Sequence, residues 1–134
     1  DENDGGALAL RLRAALSDGR LRVSAPSFYT TALPFWEMPS PLRDELGAAA
    51  VVVCKGDANY RRLLGDLHWP HELSFQALMQ EYWPTSVAAL RTCKSGVLVG
   101  VDPEVEAAAT AKLPDSWLTG GKFGMVSFAP RKAF

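Results

Sequence analysis

The chain has 134 residues, of which 48% are hydrophobic and 22% charged, and its formal net charge is −1. That is the make-up of a single globular domain able to bury a core without metal or disulfide staples. The near-neutral balance argues against nucleic acid or an anionic membrane as partner, and no apolar run approaches the roughly 20 residues that span a bilayer.

In chain order, residues 1–6 (Asp-Glu-Asn-Asp-Gly-Gly) read as an acidic tail or cut linker, without the basic and apolar regions of a secretory leader. Ala7 to Ser17, with Leu8, Leu10, Leu12, Ala15 and Leu16, predicts an amphipathic helix stopped by Asp18-Gly19. Leu21 to Ser24 predicts a short strand. Between Ala25 and Pro41 lie Pro26, Pro34 and Pro39 together with Phe28, Tyr29, Phe35 and Trp36, which predicts an ordered loop held down by its aromatics. Ser40-Pro41 predicts an N-cap and first position of a helix, with Asp44 and Glu45 in its first turn and Gly47 at its end.

Ala48 to Cys54 predicts a strand apolar on both faces, as in a sheet covered by helices on two sides. Leu63 to Asp66 closes a short helix or turn. Ser74 to Tyr82 predicts a helix whose Phe75, Leu78, Met79 and Tyr82 form a core stripe. Val87 to Thr92, Val97 to Val101 and Phe123 to Phe128 predict three further strands, Val105 to Lys112 a helix, and Gly120-Gly121 a turn. This order of elements predicts an α/β layered domain with a mixed sheet.

The chemistry concentrates where the first apolar strand ends, at Lys55-Gly56-Asp57-Ala58-Asn59-Tyr60-Arg61-Arg62. Open α/β sheets bind ligands at the carboxyl ends of their strands. Gly56 permits a sharp turn and close backbone approach. Asn59 and Tyr60 offer orientable hydrogen bonds, Arg61 a planar fork for phosphate or carboxylate, and Asp57 a partner for sugar hydroxyls or for Arg61. The same residues also fit a capped turn with a solvated charge run.

A second cluster, Arg91-Thr92-Cys93-Lys94, follows the apolar run Val87-Ala88-Ala89-Leu90. If the two strands are parallel neighbours, Lys94 shares a rim with the Asp57–Arg61 segment and can act as a point charge on a phosphoryl group. The alternative is a pair of surface cations on an edge strand. Cys54 and Cys93 make no disulfide framework and read as reduced, half-buried thiols of a reducing compartment. His68 and His71 flank Pro70, which breaks the helix a shared metal would need, so they read as loop histidines beside a Trp69 anchor.

The run Lys55 to Leu63, continued by Gly65-Asp66 and Trp69, resembles the Lys-Gly-Asp-x-Asn-Tyr-Arg-Lys-Leu-x-Gly-Asp signature of the metal-dependent damage-control phosphatases. Arg62 stands where that signature has Lys and keeps the charge. Arg91-Thr92-Cys93-Lys94 is similar to the Arg-Thr-x-Lys motif of subfamily III, the acidic-residue-methyltransferase-like branch. Phe35-Trp36-Glu37-Met38-Pro39 and the ending Trp117…Gly121-Lys122-Phe123-Gly124 are similar as well, so the likeness runs from about Leu10 to Phe128.

The resemblance implies a three-layer α/β/α Rossmann-like fold with a mixed sheet, of which this chain is expected to form an incomplete portion. It implies hydrolysis of sugar phosphates such as fructose 1-phosphate and fructose 6-phosphate with manganese, cobalt or nickel. It places substrate contacts on Asp57, Ala58 (through its backbone), Asn59, Tyr60, Arg61 and Lys94, with Arg91 supporting the Lys94 strand end and Lys94 and Asp57 nearest the chemistry. In the family the metal is held by an Asp-Asn pair at a strand end and a later Asp. Glu2-Asn3-Asp4-Gly5 has no apolar strand before it, so the metal ligands are expected outside this chain, which reads as the C-terminal part of a longer, cytoplasmic enzyme acting on a small phosphorylated metabolite. Two other readings are a non-catalytic sugar-phosphate-binding fragment and a protein carboxyl methyltransferase using S-adenosylmethionine. The second lacks a glycine-rich cofactor loop.

Overall fold

The computed structural model of the chain describes residues 4–132 and divides into two compact units at Thr30. The first unit is built on helix α1 (Asp4–Ser17), which starts three residues before the expected Ala7. Positions 1–3 of the expected tail lie outside the described residues. Leu8, Leu10, Leu12 and Leu16, expected to form a packing stripe, are exposed. Residues 21–24 form no strand. The Leu21 N–H bonds back to Ala15 O at 2.8 Å and so completes the helix end, and Val23 is left exposed.

The second unit opens with the expected proline-rich loop, whose 3₁₀ turn Phe35–Glu37 buries Phe35. Helix α2 (Ser40–Gly47) follows. Pro39, extended at ψ 143°, takes the capping position, so Ser40 lies inside the helix without a side-chain cap bond, and Asp44 and Glu45 fall beyond the first turn. Strand β1 (Val51–Lys55) begins later than Ala48. The N–H groups of Ala48 and Ala49 are still bonded to carbonyls of Asp44 and Leu46 and so belong to the helix end.

Helix α3 (Asp57–Leu63) leaves β1 through Gly56, whose φ of 105° only glycine adopts readily. Helix α4 (Phe75–Tyr82) is capped by Ser74, whose Oγ accepts the Ala77 N–H at 3.2 Å. Strand β2 (Ser86–Thr92), helix α5 (Pro103–Lys112) and strand β3 (Gly124–Ala129) complete the unit. The sheet is mixed, in the order β1-β2-β3. β1 pairs with β2 in parallel, Val52 opposite Val87, and β2 with β3 antiparallel, Ala89 opposite Ser127.

Residues 97–101, expected as a strand, are a buried irregular segment. Their polar groups are satisfied elsewhere: the Tyr60 hydroxyl accepts from Val99 N–H, and Val101 N–H donates to His71 O. With those bonds made, no strand neighbour is required.

Helices α3 and α4 pack on the sheet face that carries Val87, Ala89 and Arg91. Tyr60 and Phe75 stack beneath it with ring centroids 6.1 Å apart. The opposite face, with Val51, Val53, Leu90, Val126 and Phe128, is exposed and apolar. The expected cover on both faces is therefore present on one face only among the described residues. The chain is an incomplete α/β fold.

Candidate functional site at the carboxyl rim of the sheet

The parallel pairing of β1 and β2 puts both polar clusters on one rim. Gly56 N–H donates to Leu90 O at 2.7 Å, so the chain turns off β1 directly beside the end of β2. Asp57, the first residue of α3, points across to the other strand end. Its Oδ1 accepts from Arg91 Nη2 at 2.5 Å, from the Lys94 N–H at 3.2 Å and from Ser95 Oγ at 3.2 Å.

Arg91 is the hub beneath the rim. Its side chain is fully shielded from solvent. It also donates to Val97 O at 2.5 Å and to the carbonyl and hydroxyl of Ser95, and its guanidinium lies 4.4 Å from the Tyr60 ring centroid. An arginine on a buried sheet face is tolerable only with such partners. Tyr60 is 1% exposed, its hydroxyl bracketed by the N–H and C=O of Val99, and burial pushes its pKa up. Tyr60 thus lies under the rim, within the core.

The remaining candidates sit on the outer side. Ala58 is exposed, and Asn59 Nδ2 donates to Lys55 O at 2.9 Å, holding the end of β1. Arg61 forks onto Asp66, Nε to Oδ1 at 2.6 Å and Nη2 to Oδ2 at 2.5 Å. This pair raises the Arg61 pKa and holds the Asp66 carboxyl below its usual range, in both cases chiefly through the side-chain hydrogen bond. Lys94 is exposed, and its stem crosses Gly121: a methyl group there would stand 3.6 Å from Lys94 Cε.

The backbone that carries Lys94 is fixed from two sides. Cys93 N–H donates to Phe123 O at 2.8 Å and Gly121 N–H to Cys93 O at 2.9 Å, while Asp57 holds the Lys94 N–H. Ser95 is thus a part of the site that the sequence does not single out, and the 121–123 segment, notable in the sequence only for its family likeness, proves to be another. The available signal was a hydroxyl directly after Lys94 and a glycine pair whose turn had no assigned partner.

The structure brings together Asp57, Arg91 and the Lys94 backbone. It turns the Arg61 fork to Asp66, and it places Tyr60 underneath. A shallow cleft of about 380 Å³ opens at the same rim between Lys55, Gly56, Thr92 and Gly124.

The rim does not suit a metal ion. Its carboxylate oxygen, Asp57 Oδ1, is ringed by three donors, one of them cationic. Among the described residues no three His, Cys, Asp or Glu side chains converge. His71 Nδ1 is instead engaged by Glu106 of α5 at 2.9 Å. Both cysteines are free and buried, and burial raises the Cys54 thiol to about 11. No helix among the described residues is long and apolar enough to cross a membrane.

The polar, partly cationic rim lies at the ends of two parallel strands of a mixed α/β sheet, the place where open α/β folds bind their ligands. The sequence model of the damage-control phosphatase ARMT1-like domain matches residues 1–109, and the chain belongs to that family. It is 38% identical over 105 residues to damage-control phosphatase ARMT1 of Rattus norvegicus, covering 76% of this chain and 24% of that protein. The corresponding protein of Mus musculus is 34% identical over 113 residues, covering 82% and 26%. That of Danio rerio is 33% identical over 106 residues, covering 72% and 23%. The chain spans about a quarter of the length of these relatives.

Proposed function

We propose that the full-length protein is a metal-dependent phosphatase of sugar phosphates, of the fructose 1-phosphate or fructose 6-phosphate type, and that this chain carries its substrate-binding half. Membership of the damage-control phosphatase family supports a phosphoric monoester hydrolase. The observation that carries the reading is the joint between two strand ends, where Asp57 after β1 accepts the Lys94 N–H after β2.

In this reading Lys94 meets the phosphoryl oxygens as a point charge whose attraction grows as negative charge develops in transfer. Arg61, once exchanged from Asp66 to the substrate, supplies a planar fork to the same group. Asn59 and the Ala58 backbone meet the sugar, while Tyr60 and Arg91 support the rim from below. The divalent metal, whether manganese, cobalt or nickel, is held by residues outside this chain and would activate water. The partner is a small phosphorylated metabolite, not a nucleic acid or a membrane. Two free cysteines fit a cytoplasmic setting.

The test is phosphate release from fructose 1-phosphate by the full-length protein with manganese. Lys94→Ala is expected to lower kcat/KM by about 100-fold or more, the scale for removing a charge-stabilising donor. Unchanged hydrolysis would overturn the assignment.

A further inference from the structure

We infer that Ser95 is a positioning residue, which acts on substrate by fixing Lys94 together with Asp57. The inference rests on the phosphatase reading for its effect on turnover, but its geometry stands apart from it. Asp57 is one of the residues that the family resemblance places in contact with substrate. In the structure its Oδ1 is already taken by Arg91, the Lys94 N–H and Ser95 Oγ, and its side chain is 13% exposed.

Ser95 completes a closed set. Its hydroxyl donates to Asp57 and accepts from Arg91 at 3.3 Å, and its carbonyl accepts from the same Arg91 nitrogen at 3.3 Å. The turn bearing Lys94 is thereby bonded to α3 on one side. Through Cys93 it is bonded to Phe123 and Gly121 on the other.

A lysine on a four-carbon stem is flexible, and freezing it costs side-chain entropy. Fixing its backbone, and laying its stem across Gly121, leaves fewer dihedrals to order when substrate arrives. Ser95 is thus the residue whose loss should loosen Lys94 without touching substrate.

Two measurements on the full-length protein test this. The first is hydrogen exchange at the Lys94 amide. Ser95→Ala and Asp57→Asn should each speed it at least tenfold, with Ser95→Thr close to wild type. Unchanged exchange in both would overturn the proposal whatever the protein catalyses.

The second is a double-mutant cycle on phosphate release. Ser95→Ala alone should lower kcat about tenfold with KM within twofold. In a Lys94→Ala background it should cost less than twofold more, because its effect runs through Lys94. A full further tenfold loss in that background would make Ser95 act independently and sink the positioning role. If Lys94→Ala itself leaves turnover intact, the phosphatase reading of this site fails, and the exchange measurement alone decides the fate of the Asp57–Ser95 proposal.

Discussion

Arg91 Nη2 stands 2.5 Å from Asp57 Oδ1, with the Arg91 side chain fully shielded and Asp57 only 13% exposed. This one bond joins the end of β2 to the start of α3, residues 34 positions apart. It also explains why an arginine sits on the same sheet face as Val87 and Ala89. The strand alternation sends its side chain inward, where Asp57, Val97 and Ser95 receive it.

Removing Asp57 should therefore be costly in stability. Asp57→Ala leaves the Arg91 charge buried and short of its counter-ion, a loss of about 3–5 kcal/mol for such pairs. Urea unfolding of the protein measures it, and a loss below about 1 kcal/mol would show that solvent screens the pair. The exposed Arg61–Asp66 pair is the internal contrast. Both side chains are more than two-fifths exposed, and Asp66→Asn should cost less than about 1 kcal/mol.

Gly65 should resist any side chain. It has φ +68°, and a methyl built on it would stand 1.8 Å from Trp36 Cη2. Gly65→Ala combines left-handed strain with a clash against the indole, and should lower stability by well over 1 kcal/mol. Trp36 also meets the Tyr82 ring edge-on at 5.8 Å. The displaced indole should shift the tryptophan emission, and Trp36→Ala in the Gly65→Ala background should recover part of the lost stability. Equal stability of Gly65→Ala and wild type in urea would contradict the packing.

Much of this arrangement was legible in the residues. The mixed sheet follows from the order of elements, and the α4 core residues Phe75 and Met79 from helical period. The joint rim of the Asp57 and Lys94 segments follows once β1 and β2 are parallel neighbours. Tertiary partners decided the rest. Val97 to Val101 has the composition of a strand, but a tyrosine hydroxyl and a histidine carbonyl take its backbone bonds. Ser40 has the chemistry of a cap, but Pro39 occupies the capping place. Tyr60 reads as an orientable donor in a polar run, although helical spacing from Asp57 turns it into the core. Its burial depends on Phe75 and Val99, which lie far along the chain.

Cys54 gives a prediction about pH. Its thiol is buried on the covered face of β1, and burial raises its pKa from 9.0 to about 11. The folded state therefore holds the Cys54 proton over a range where the unfolded chain has released it. Linkage fixes the sign: the Cys54 contribution is intact below about pH 9 and is lost as pH climbs toward about 11. Other groups titrate in the same window, so the measurement is a difference. The unfolding midpoint in urea, followed from pH 8 to pH 11, should fall more steeply in wild type than in Cys54→Ala. At neutral pH the native thiol should react slowly with iodoacetamide and the unfolded one quickly, because the thiolate is the reactive form. Rapid labelling of the folded protein at neutral pH, at Cys54, would show that the strand end is open to solvent and would remove the basis for the steeper decline.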